Sequence, residues 1–203
     1  MNIFKLLLFI LLCFNSVAEA QDIIRFANGE VLECKVEGIT DSTVWYIKKP
    51  HKKNPKDKII PSDDIFSVIF SDTIEVVVYK QDISDPLAFN VEQMRNYVEG
   101  AAFARRNYKG IVPVTGAFLA GVGGGLIGFW GLLVPLTYDL FVSVFTPRAR
   151  NFNQEQLPMN ADEFFAIGYQ DVARKRRTKR IIASSFTGVV AIVVYTTLMT
   201  KEE

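Results

Sequence analysis

The sequence predicts an α+β membrane protein: a small antiparallel β barrel or sandwich, then an amphipathic helix and two transmembrane helices. A third crossing is added if the Gly-rich segment passes twice. Three observations carry this. Residues 22–79 break into short β-branched and aromatic runs separated by turn residues. Residues 111–146 hold a single charge, Asp139. Residues 181–199 hold none, and nineteen helical residues are enough to cross a bilayer once.

Residues 1–20 have the three parts of a secretory leader: Lys5, the apolar run Leu6 to Phe14, and the small-x-small site Ala18-Glu19-Ala20. Lipidation at Cys13 is not expected, because Leu12 stands where a small residue is needed. The exported chain then keeps one cysteine, Cys34, which cannot form an internal disulfide. Alternation sets Cys34 beside Leu32 and Val36, so a buried and inert thiol is expected.

The expected strands are 23–27, 31–39, 43–48, 59–60, 65–70 and 74–79. Asn28-Gly29 predicts a two-residue hairpin turn. Pro61-Ser62-Asp63-Asp64 and Ser71-Asp72 supply other turns. Asp85-Pro86 predicts a helix start, and Leu87, Val91, Met94, Val98 and Ala101 form its apolar stripe. A second helix is expected from Asn160, with Glu163 completing a capping box.

The 36 residues of 111–146 would make a helix about 54 Å long, against an apolar layer of about 30 Å. One span near 111–134 followed by an interfacial segment, or two short passes, would resolve the excess. Charge favours one span. Residues 147–180 hold 8 Lys/Arg against 4 Asp/Glu, whereas 21–110 are balanced at 13 against 14. A single pass puts the basic loop inside. The chain then divides into a leader (1–20), a periplasmic β domain (21–81), an amphipathic juxtamembrane helix (82–110) and a Gly-rich membrane segment (111–146). A cytoplasmic loop with a basic amphipathic helix (147–180), a transmembrane helix (181–199) and a tail (200–203) follow. Placement in the inner membrane, with the β domain in the periplasm, is the expectation.

Gly123 to Gly128 fits the G-x-G-x-x-G string of dinucleotide sites, but lies in uncharged apolar sequence with no acid at the required distance. Its glycines read instead as a helix-packing face. Gly116, Ala120, Gly124 and Gly128 recur every four residues, as do Gly121 and Gly125, with Ser184 and Gly188 on the last helix. Arg174, Lys175, Arg176, Arg177, Lys179 and Arg180 precede that helix. They are assigned to topology and lipid head groups rather than nucleic acid. Asp139 is the one intramembrane candidate, expected at the interface if the span ends near Pro135. His51, Asp63 and Asp64 are the only titratable cluster of the exposed domain, and they read as loop and turn chemistry. Tyr97-x-x-Gly100 before Ala104-Arg105-Arg106 resembles Gly168-Tyr169 before Ala173-Arg174-Lys175-Arg176, a degenerate repeat.

The leader, the strand-rich stretch Phe26-Ala27-Asn28-Gly29-Glu30 … Ile60-Pro61-Ser62-Asp63-Asp64-Ile65-Phe66, the Gly-rich span and Gly168-Tyr169 … Ala173-Arg174-Lys175-Arg176 together resemble a group of small exported membrane proteins of Bacteroidota. The resemblance implies a Gram-negative envelope and two spans, and it carries no catalytic residue. The expected role is a non-enzymatic binding or scaffold protein, without cofactor or metal. Its partners would be membrane lipids and either further copies or other envelope proteins. The alternative is a small channel or transporter subunit built on the glycine face with Asp139 lining it.

Overall fold

The computed structural model describes residues 21–48, 56–72, 74–147 and 162–199. The leader, His51, Arg148, Arg150 and Asn160 lie outside them. Six strands, β1 (Asp22–Phe26), β2 (Val31–Ile39), β3 (Thr43–Ile47), β4 (Asp57–Pro61), β5 (Ile65–Ile69) and β6 (Glu75–Val77), form one antiparallel sheet in the order β4-β3-β2-β1-β5-β6.

The β1–β2 turn runs through Ala27-Asn28-Gly29, not the two-residue turn expected. Phe26 exchanges backbone bonds with Gly29 and Glu30, and Gly29 sits at φ 75°. This is a turn followed by a left-handed glycine. Space demands the glycine as well, since a Cβ there would meet the backbone of Ala102 and the Cβ of Ala101. The hairpin tip therefore rests on the helix that follows the sheet.

One face of the sheet buries Ile24, Cys34, Val44, Tyr46, Ile65 and Val68. Ile24 faces Leu32 and Val68 in register, and Val44 faces Ile60. The expected barrel or sandwich is corrected here to an open sheet. Strand β6 has only three residues, β4 and β6 are the edges, each paired on one side, and among the described residues Lys80 reaches Asp41 at 2.9 Å without a ladder joining the two ends. The second layer is a helix. Phe66, on the opposite face of β5, packs with Met94 and Val98 of α1 (Val91–Asn107). Arg95 of the same helix lies over the Phe66 ring at 5.3 Å and bonds Glu75 at 2.7 Å.

Helix α1 starts five residues later than Asp85-Pro86 suggested. Asn90 accepts from the Gln93 backbone and Gln93 returns a bond to Asn90, a reciprocal cap that outcompetes the proline signal. Asp85 instead turns the chain by accepting from Leu87 N at 2.9 Å. After Gly110 (φ 57°) the chain bends by 56° into α2 (Ile111–Ile127). Gly128 (φ 80°) and a short 3-10 turn reverse it into α3 (Leu133–Val144).

The last helix, α4 (Glu163–Met199), is continuous for 37 residues. The basic helix and the final apolar span expected separately are thus one rod. Its cap is Asp162, which accepts from Phe165 N at 2.9 Å. The two similar stretches noted in the sequence pack on each other: a Cβ at Gly100 would strike the Phe165 carbonyl, and one at Gly168 the Tyr97 carbonyl. Around this close crossing Ala101, Ala104, Tyr169, Val172 and Ala173 are buried together. Asn96 bonds Asp162 at 2.7 Å and Tyr97 bonds Asp171 at 2.9 Å.

Candidate functional site

Two features meet below the sheet, a collar of cations and an apolar groove holding Asp139. The collar is built from helix ends. Helix α1 finishes at Asn107, and side-chain donors to the carbonyls of its last turn stabilise a C-terminus. Arg176 donates to the Ala104 and Arg105 carbonyls, and Arg180 to Tyr108 and Lys109. Arg177, 5 % exposed, donates to the Phe145 carbonyl at the end of α3. Half of the predicted basic run therefore satisfies helix termini, a role the sequence did not reveal. Arg174, Lys175 and Lys179 point outward and are joined by the exposed Arg106 and Lys109. Arg105 turns back to the sheet, where it donates to the Asn28 carbonyl at 3.2 Å and pairs with Glu30 at 3.8 Å.

The glycines divide between two partners. Gly121 and Gly125 lie against Ser185 and Ile192 of α4, and Gly188 against Phe118 and Val122 of α2. Gly116 lies instead against Tyr138 of α3, and Gly124 against Gly131 of the turn before α3 and Pro135 of α3. Gly128 serves the chain reversal and would meet nothing with a Cβ. Ala120 is half-buried, whereas Ala117, which the periodicity did not single out, is fully buried. Ser184 donates to the Val114 carbonyl at 2.9 Å. The G-x-G-x-x-G string runs from within α2 to its C-cap Gly128, and the element preceding α2 is a helix rather than a strand.

Asp139 sits within α3, the 12-residue helix that also contains Pro135. Its Oδ2 accepts from Ser185 Oγ at 3.1 Å, and its Oδ1 is buried without a partner among the described residues. Ser185 lies five residues past Arg180, about 7 Å deeper along the helix. An apolar groove of about 570 Å³ opens here, lined by Leu136, Asp139, Leu140, Ile182, Ser185 and Phe186 among others.

Elsewhere the sheet offers little reactive chemistry. Asp63 and Asp64 are exposed in the turn Ser62–Asp64. Among the described residues no group of three or more His, Cys, Asp or Glu is placed to hold a metal ion. Cys34 is fully buried, and burial, with the Asp22 carboxylate opposite it in the ladder, pushes its thiol up from 9.0 to about 12. At pH 8 the folded protein is expected to leave Ellman's reagent unreacted at Cys34, and denaturant should expose one full equivalent. Because the folded value is raised, the stability this thiol contributes is complete below pH 9 and lost as pH rises toward 12. Tyr97, raised to about 12 by burial and by its bond to Asp171, adds to the same alkaline loss. A urea titration repeated from pH 8 to 11 checks this.

Comparison with protein-family models, with curated proteins and with solved structures finds no match to this chain.

Proposed function

We propose that the chain is a non-enzymatic docking subunit of the cell envelope, anchored in the inner membrane and displaying its sheet on the periplasmic side. The observation that carries this reading is the double use of α4. Its first half grips α1, and through α1 the sheet, by the Gly100–Gly168 crossing. Its second half, Ile181–Met199, is uncharged, long enough to cross a bilayer, and exposes Phe186, Val193 and Leu198. One rigid rod thus joins an apolar anchor to a small sheet. The leader pattern supports the outer side.

The surface offered is the outward face of β3 and β4. Trp45 and Ile59 are direct cross-strand neighbours, 43 % and 54 % exposed. Aromatic anchors of this kind dominate protein interfaces. With a photo-crosslinking amino acid at Trp45, irradiated cells should yield a discrete adduct to an envelope protein. No adduct there, together with a monomer in mild detergent, would remove the docking role.

A second reading, a small channel or transporter subunit, is favoured by one observation. The buried Oδ1 of Asp139, within an apolar groove, lacks a partner among the described residues. Asp139→Asn should then change ion flux in proteoliposomes, and absence of flux from both forms would dismiss it.

A further inference from the structure

The direction in which the helices pack fixes the side of the helical bundle on which α3 ends. Helices α1 and α2 run alongside α4 in the same sense. Asn96 meets Asp162, Ala104 meets Arg176, Lys109 meets Arg180, Val114 meets Ser184, and Gly125 meets Ile192. A single outward-to-inward pass followed by a return pass would have made α2 and α4 antiparallel.

Helix α3 runs back along α2 instead. Gly124 lies against Gly131 and Pro135, and Tyr138 Oη donates to the Pro113 carbonyl at 3.2 Å, close to where α2 began. By Phe145 the chain is again level with Arg177 in the collar. The 12 residues of α3 reach about 18 Å, short of an apolar layer of about 30 Å. The first residue described after Pro147, Asp162, is bonded to Asn96 on the helix that carries the sheet. One of these ends is therefore held at the collar and the other on its sheet side.

Resting on the membrane attachment proposed above, we infer that α2 and α3 form a helical hairpin inserted from the sheet's side, and that α4 alone crosses. Pro147 and Asp162, the described residues on either side of 148–161, then share a compartment with the sheet. Arg106, Lys109, Arg174, Lys175 and Lys179, drawn from two distant parts of the chain, face the head groups of one leaflet, the one beneath the sheet. Among the described residues, the deep side receives only the end of α4.

The test uses two full-length variants, Ser42→Cys in the exposed β2–β3 turn and Arg150→Cys after α3, each on a Cys13→Ala background. Buried Cys34 stays silent. A membrane-impermeant maleimide is applied to cells with a permeabilised outer membrane, and labelling is scored against the same protein after solubilisation. Both positions should label to within about twofold of each other. Labelling of both only in inside-out vesicles would still support the hairpin while overturning the periplasmic placement of the sheet. Labelling of Ser42→Cys with Arg150→Cys protected would overturn the hairpin. Release of the unsubstituted protein from membranes by alkaline carbonate would overturn the attachment itself, and the hairpin with it.

Discussion

Gly168→Leu should collapse the link between the sheet and its anchor, whereas Gly123→Leu should leave the protein intact. A side chain at 168 has nowhere to go, because the first added carbon meets the Tyr97 backbone and the helices must separate. Overpacking at a site of rigid backbone costs about 3 kcal/mol. That is a large share of the total stability of a small domain. Gly123 lies on α2 with no atom within 4 Å of a Cβ, so leucine there gains helix propensity of up to about 1 kcal/mol and meets no clash. Thermal unfolding of both variants in mild detergent should show a loss of several degrees for the first and no loss for the second. Equal behaviour would mean that the close crossing of α1 and α4 does not hold the two halves together.

The second large effect is expected at Phe66, which is 1 % exposed and joins the sheet to α1 through Met94 and Val98. Phe66→Ala removes a large buried side chain and should cost about 3–4 kcal/mol. It also takes away the ring beneath Arg95. Limited proteolysis should then cut between the sheet and α1 much faster, with α4 still resistant in detergent. Ile83→Ala is the control. That side chain is 95 % exposed, and its removal should stay within about 0.5 kcal/mol.

The strands were readable because alternation is a local signal. Val44 and Tyr46 turn in while Trp45 turns out, as the pattern Thr43 to Ile47 requires. Closure was not readable, because it depends on edge length and register across the whole sheet, and β6 is too short to close anything. The start of α1 was misplaced because two start signals compete within nine residues, Asp85-Pro86 and Asn90 with Gln93. Only the second offers two reciprocal backbone bonds.

The helical part failed and succeeded for a different reason. Four-residue spacing showed that glycines could admit a neighbour but not which one, so Gly121 and Gly124, three residues apart, meet different helices. The run Arg174 to Arg180 was read as the edge of a span, and a membrane boundary was taken for a helix boundary. Nothing in Ala173-Arg174-Lys175-Arg176-Arg177 opposes a helix, and α4 passes through it unbroken. Counting those cations as free loop charge also misjudged them, since Arg176, Arg177 and Arg180 bind the carbonyl ends of α1 and α3. Their position is fixed by helix packing, and the loop-charge bias that argued for a single pass does not weigh that constraint.

Everything proposed for this chain rests on α2 to α4 being embedded in a bilayer, and extraction of isolated membranes with carbonate at pH 11 tests that most directly. The account predicts that the full chain stays with the lipid pellet and is released only by detergent, because the apolar flank of α4 with Phe186, Val193 and Leu198 is buried in acyl chains. Recovery of the intact protein in the soluble fraction would contradict it.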